Sequence, residues 1–172
     1  MTTKHVYLGR FAPFHKGHLR LILKLIDKAG LENTLILIGS SNNVNRRTPY
    51  TFEDRAKIIK VSIPEIEILP LPDGKAGVEY FDGSTNDIWL DSLEKLAQER
   101  KEKFVFYGGS KQDLEILAER FETRLLIDRF SEGEGLSATK IRELIINRNI
   151  TELEKYVESE AMDLIIKNYQ KA

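Results

Sequence analysis

Thr34-Leu35-Ile36-Leu37-Ile38-Gly39 is apolar on both faces. A strand sends alternate side chains to opposite faces of its sheet, so a run with no polar position has no face to give to water. Such a strand needs helices above and below it, which selects a parallel sheet covered on both sides. Val6-Tyr7-Leu8-Gly9 and Phe104-Val105-Phe106-Tyr107 are runs of the same kind, and Leu125-Leu126-Ile127 is a shorter fifth strand. Glu65-Ile66-Glu67-Ile68-Leu69 alternates instead, which puts the third strand nearer an edge. Helical patterns lie between them. One covers about 18–29 and is closed by Gly30. A second starts near Thr51, with Thr51 and Asp54 at capping-box spacing and Pro64 past its end. Two more cover about 87–102 and 111–121, the latter with Ser110 as its cap. After a polar loop at 131–135 the rest reads as helix, about 138–148, 151–157 and 159–169. The order predicts an α/β fold: a doubly wound, Rossmann-like parallel sheet of five or six strands with C-terminal helices.

A chain of 172 residues is expected to form one domain. Residues 1–136 would be its α/β core and 137–172 its helical part. The formal net charge of −1 gives no overall basic field for nucleic acid or an acidic membrane, so a phosphate site has to be local. With no cysteine there is no disulfide framework and no thiolate chemistry, and the cytoplasm is the expected location. Met1-Thr2-Thr3-Lys4-His5-Val6 has no signal-peptide apolar region, and no apolar run nears the roughly 20 residues of a membrane span. Neither the dinucleotide fingerprint G-x-G-x-x-G nor the hydrolase elbow G-x-S-x-G occurs.

The chemistry gathers at strand C-termini, where ligands bind in open parallel sheets. Gly9-Arg10-Phe11-Ala12-Pro13-Phe14-His15-Lys16-Gly17-His18 joins the first strand to the first helix. A helix N-terminus offers unpaired N–H groups and partial positive charge, and two imidazoles, Arg10 and Lys16 reinforce it as an anion site. Gly17 lets a ligand approach the backbone. Alone, H-x-x-H also reads as two histidines capping a helix. A zinc site lacks ligands, since only His5 remains and there is no Cys, so no metal ligand is expected from protein side chains.

Leu136-Ser137-Ala138-Thr139-Lys140-Ile141-Arg142 opens the first C-terminal helix. Ser137 is a natural N-cap, and the Ser137 and Thr139 hydroxyls with Lys140 and Arg142 suit a phosphate chain. A capped helix with a solvated basic turn reads the same way. Ser40-Ser41-Asn42, Gly108-Gly109-Ser110 and the loop after Arg129 fall on the same rim. The long irregular segment at 70–87 leads to Asn86 and to Trp89, the only tryptophan. Trp89 is at helical spacing from Leu93, so it also reads as core.

G-R-F-x-P-F-H-K-G-H-L resembles the first signature of the nucleotidyltransferase superfamily with the HxGH motif, and in particular the archaeal-type nicotinamide-mononucleotide adenylyltransferases. Leu136 to Arg142 resembles the second signature, I-S-x-T-x-I-R, with Leu in place of the first Ile. Arg46-Arg47-Thr48-Pro49-Tyr50-Thr51-Phe52-Glu53-Asp54-Arg55 is similar to the family segment R-T-x-x-N-P-F-T-x-x-E-R, with a shorter spacing that leaves Arg46 and Arg47 both open. Arg47 is the one matched to the phosphate site.

The resemblance implies adenylyl transfer from ATP to nicotinamide mononucleotide, giving NAD and pyrophosphate, with Mg²⁺ accompanying ATP. The 5′-phosphate would attack the α-phosphorus in line, with no general base and no covalent intermediate. By matched position His15 and His18 would bind ATP phosphates, His18 nearest the α-phosphate. Arg10 and Lys16 would neutralise the chain and the attacking phosphate. Ser137, Thr139 and Arg142 would hold the β- and γ-phosphates. Gly108 and Gly109 would meet adenosine, Gly9 and Phe11 would line the junction of the two nucleotides, and Asn86 and Trp89 would bind the nicotinamide. Asp87 and Asp91 beside Trp89 disfavour a nicotinate carboxylate. Related acceptors (nicotinate mononucleotide, pantetheine phosphate) and a non-catalytic nucleotide sensor are the rival readings. Relatives of this kind are often homo-oligomers.

Overall fold

The apolar runs assemble into one parallel sheet. The computed structural model describes residues 1–73, 86–108, 111–126 and 137–170. The strands are β1 (Thr2–Gly9), β2 (Thr34–Gly39), β3 (Glu67–Leu71), β4 (Glu102–Tyr107) and β5 (Glu122–Thr123), in the spatial order β3-β2-β1-β4-β5. Every neighbouring pair is parallel, and Val6 of β1 stands between Leu35 of β2 and Phe106 of β4. The strand order reverses beside β1, so the β1/β4 crevice at the strand C-termini is the switch point.

The helices are α1 (Lys16–Ala29), α2 (Phe52–Ser62), α3 (Asn86–Arg100), α4 (Lys111–Leu117), α5 (Ala138–Ile146), α6 (Ile150–Leu153) and α7 (Met162–Lys167), with 3-10 turns at Leu31–Asn33 and Ser159–Ala161. The period of two in β2 divides the core between the sheet faces. Ile36 and Ile38 join Tyr7, Val105 and Tyr107 beneath α1, α2, α5 and the C-terminal helices. Leu35 and Leu37 join Val6, Phe104 and Phe106 against Leu90 and Leu93 of α3 and Leu114 and Leu117 of α4. Among the described residues, no helix is long and apolar enough to cross a membrane.

β3 lies at an edge, as its alternation predicted. The fifth strand differs from expectation. It is Glu122–Thr123, and Leu125 just beyond it is 58% exposed. An edge strand is held by its backbone ladder, and Arg124 N extends this one by donating to Phe106 O at 2.9 Å. Its outward side chains make ion pairs, Glu122 with Arg124 and with Lys103, so the apolar triplet was the wrong signal. The expectations for Gly109, Ser110, the loop after Arg129, Leu136 and most of the 70–87 segment lie outside the described residues.

Candidate active site

His15 is the N-cap of α1, with φ −139° and ψ 176°, and this starts the helix two residues earlier than the sequence pattern suggested. His15 Nδ1 accepts from Gly17 N at 3.1 Å and His18 N at 3.4 Å. His18 Nδ1 in turn accepts from His15 N at 3.2 Å. The two imidazoles thus form a capping box, the role usually taken by Ser or Thr with Glu or Gln. A ring nitrogen that accepts from N–H groups carries no proton, so both neutral rings hold their proton on Nε2. The rings stack with centroids 3.7 Å apart, Phe14 lies flat on His18 at 5.7 Å, and Phe11 meets its edge at 5.0 Å.

One sequence expectation changes here. The first N–H groups of α1 are already bonded: Lys16 N donates to Tyr156 O at 2.8 Å, Gly17 N and His18 N to His15, and Leu19 N to His15 O. The main-chain donors of this end are therefore already used, His15 Nε2 is buried, and Lys16 Nζ lies 3.5 Å from Glu154 O. The helix dipole still favours an anion here.

Phe11 packs beside the imidazole pair. It is 2% exposed, and a Cβ built on Gly9 would come within 3.0 Å of its ring. Gly9 is glycine because the Phe11 ring occupies that space. The ring is a wall for His18.

Arg142 of α5 joins the two signatures. Its Nη1 donates to Ala12 O at 3.0 Å and its Nη2 to Thr139 Oγ1 at 3.2 Å. Burial first, and then the charges of Arg10 and Arg47, draw the Arg142 guanidinium below the usual arginine range, against an opposing pull from Tyr169. Arg10, Arg47 and Arg142 therefore share one field. Like charges so gathered favour a polyanion. Ser137 caps α5, its Oγ accepting from Lys140 N at 3.2 Å. Lys140 faces the tail instead, with Nζ 3.2 Å from Tyr156 Oη and 4.8 Å from that ring's centre. Gly108 is buried just past β4.

Asn86 is the first residue of α3, and its buried Oδ1 has no hydrogen-bond partner among the described residues. Trp89 is 9% exposed and packs with Val6, Leu35, Leu37 and Leu71, so the core reading holds for most of its surface. Asp87 and Asp91 lie on another stripe of α3, where Arg120 binds both and reaches Glu94 at 3.3 Å. Their charge is spent on Arg120, so they no longer argue against a carboxylate beside Trp89. Sequence reasoning also missed a clamp after β2. Asn42 Oδ1 accepts from Asp73 N at 2.9 Å, Asn42 Nδ2 donates to Asp73 O at 3.1 Å, and Asn43 Nδ2 donates to Asp73 Oδ2 at 2.6 Å. Asparagines past a strand end were the only available signal. Among the described residues, no group of three or more His, Cys, Asp or Glu side chains could hold a metal ion.

A parallel sheet with paired imidazoles and an arginine cluster at its switch point defines an α/β nucleotide-handling protein. The chain belongs to the Cytidylyltransferase-like family, whose model matches residues 6–144. It is 28% identical over 151 residues to the nicotinamide-nucleotide adenylyltransferase of Sulfurisphaera tokodaii, covering 84% of this chain and 80% of that one. It is 29% identical over 150 residues to the protein of the same name from Thermococcus sibiricus, covering 82% and 72%. Among solved structures it resembles a bifunctional NMN adenylyltransferase/ADP ribose pyrophosphatase from Francisella tularensis, complexed with AMP and a manganese ion. The TM-score is 0.61 and the identity 22%, covering 98% of this chain and 53% of that one. The chain thus spans about half the length of that bifunctional protein.

Proposed function

We propose that this protein transfers the adenylyl group of ATP to nicotinamide mononucleotide, releasing NAD and pyrophosphate. The observation that carries the reading is the Arg142–Ala12 hydrogen bond, which brings the second signature onto the first. The 5′-phosphate oxygen of the mononucleotide forms a bond to the α-phosphorus of ATP as the bond to the β-phosphate oxygen breaks. The nucleophile is already an anion, so no general base is needed. Catalysis is then positioning and charge stabilisation.

His15 and His18 donate Nε2–H to the ATP phosphates, His18 nearest the α-phosphate, where charge builds. Arg10 and Lys16 neutralise the incoming phosphate. Ser137, Thr139, Arg142 and Arg47 hold the leaving pyrophosphate, while Gly108 and Gly109 meet adenosine and Gly9 lines the junction. Mg²⁺ bound to the triphosphate would shield its charge, held by phosphates and water rather than by a protein cage. The acceptor base lies between Asn86 and the accessible edge of Trp89, which suits a cationic pyridinium. Asn86 Oδ1, which has no hydrogen-bond partner among the described residues, is an acceptor for the carboxamide N–H, a group that nicotinate does not have. One nucleotidyltransferase domain over 1–172, acting in the cytoplasm as a homo-oligomer, completes the reading.

Pyrophosphate release from Mg·ATP with nicotinamide mononucleotide, nicotinate mononucleotide and phosphopantetheine in parallel tests it. Turnover strongly favouring the first is expected. Turnover with phosphopantetheine would overturn the acceptor assignment, and ATP binding without turnover would leave a sensor. Asn86→Ala is expected to raise KM for nicotinamide mononucleotide roughly tenfold to a hundredfold, the worth of about 1–3 kcal/mol for a lost partner. KM for ATP should hardly move.

A further inference from the structure

Arg55 of α2 is completely buried, yet no carboxylate hydrogen-bonds it among the described residues. Four of its N–H groups go to backbone carbonyls. Nη1 donates to Arg10 O at 3.1 Å and Gly39 O at 2.9 Å, Nη2 to Ser40 O at 3.0 Å, and Nε to Thr51 O at 3.3 Å. Burying a cation against neutral dipoles is costly, and an apolar side chain would fill the space more cheaply. Burial, followed by repulsion from Arg10, pushes this guanidinium down to about 10, so it is still charged at neutral pH.

The three carbonyls at the strand ends are not a random set. Phe11 has φ 51° and Ser40 has φ 49°, left-handed conformations that cost a side-chain-bearing residue energy. Arg10 O belongs to the peptide group that leads into Phe11. Gly39 O and Ser40 O belong to the two peptide groups on either side of Ser40. Strained backbone persists only where its surroundings over-determine it. One planar guanidinium, with its fixed fork of donors, holds three of the four peptide groups flanking the two strained residues. Phe11 is the wall against which His18 rests.

We infer that Arg55 is a positioning residue for the adenylyl-transfer site, holding the left-handed turns at Phe11 and Ser40 so that the first signature keeps its reactive shape. This rests on the function proposed above. Arg55 touches no phosphate. It acts through the β1–α1 turn that sets Phe11, His15 and His18.

Arg55→Lys, Arg55→Ala and, as a control for plain destabilisation of α2, Ile58→Val test the inference. Amide hydrogen exchange of peptides spanning residues 8–14 and 38–44 reads the turns without any assay of turnover. Arg55→Lys is expected to unfold cooperatively and to exchange faster in both segments, with kcat down by about 10- to 100-fold and each KM within about threefold. Added guanidinium ion below denaturing concentration should partly restore kcat in Arg55→Ala and leave the wild type unchanged. Ile58→Val should lower Tm and keep kcat. Unchanged exchange in the two segments, or a folded Arg55→Lys protein with wild-type kcat, would overturn the inference. A loss of activity matched by Ile58→Val at equal Tm would do the same. A wild-type protein that releases no pyrophosphate would instead refute the proposed function, while the exchange result would still decide whether Arg55 holds the turns.

Discussion

His18→Ala is expected to lower kcat by about two decades or more while the protein stays folded, because a preorganised donor at the charge-bearing phosphate is worth about that much. The substitution removes the Nε2–H donor, the Nδ1 that accepts from His15 N, and the ring packed on His15, Phe14 and Phe11. Their sizes separate the chemical loss from the structural one. A lost capping hydrogen bond costs about 1 kcal/mol and a lost aromatic pair about 0.5–1.5 kcal/mol, against a total stability of about 5–15 kcal/mol for a domain. That leaves almost every molecule folded, whereas a two-decade loss of activity through unfolding would need about 99% of them unfolded. Thermal unfolding and steady-state pyrophosphate release on the same preparation check the point. A folded variant with near-normal turnover would remove His18 from the mechanism. His15 needs a gentler change, because its Nδ1 caps two backbone N–H groups. His15→Asn keeps an N-cap acceptor and removes the Nε2–H, so it should lose activity with little loss of Tm.

The strand and helix order was legible because it follows from local pattern. The double-faced run at 34–39 demanded a covered parallel strand, and β2 is buried from Thr34 to Ile38. The two signatures were legible as strings, but not what they do to each other. That His15 and His18 cap one another depends on rotamers, and that Arg142 bonds Ala12 depends on how α5 returns to the β1 end. Arg55 was legible as the last residue of a family-like segment but not as a buried one, since its burial is decided by two strand ends that converge from elsewhere in the chain. The edge strand was misplaced because backbone pairing, which has no side-chain signature, outweighed the apolar triplet at 125–127. The segment after residue 148 read as generic helix, and the structure gives it far more to do.

Deleting the chain after Arg148 is expected to abolish cooperative folding. Leu153, Val157 and Ile165 are fully buried and Met162 is 8% exposed, all within the core that α1 and α2 share. At about 1.5–3 kcal/mol for each large apolar side chain, their loss comes to about 6–12 kcal/mol, which rivals a domain's whole stability. Polar losses add to it. Tyr50 is fully buried and donates to Ile165 O at 2.7 Å, and burial holds its phenol far above the ordinary tyrosine range. Without Ile165 that hydroxyl has lost its acceptor, at a cost of about 1–3 kcal/mol. Lys16 N at the start of α1 loses Tyr156 O, and Pro49 O loses Gln170 N, so the damage reaches the turn of His15 and the loop of Arg47. Circular dichroism against temperature and limited proteolysis read the result, with Ile166→Ser as the contrast. Ile166 is 39% exposed on the same tail, and its change should stay within about 0.5 kcal/mol. A truncated chain that melts cooperatively within a few degrees of the full one would mean that the sheet and α1 to α5 hold their own core. If the truncated chain is unfolded while Ile166→Ser is normal, the tail's buried face is a structural part of the phosphate site's foundation.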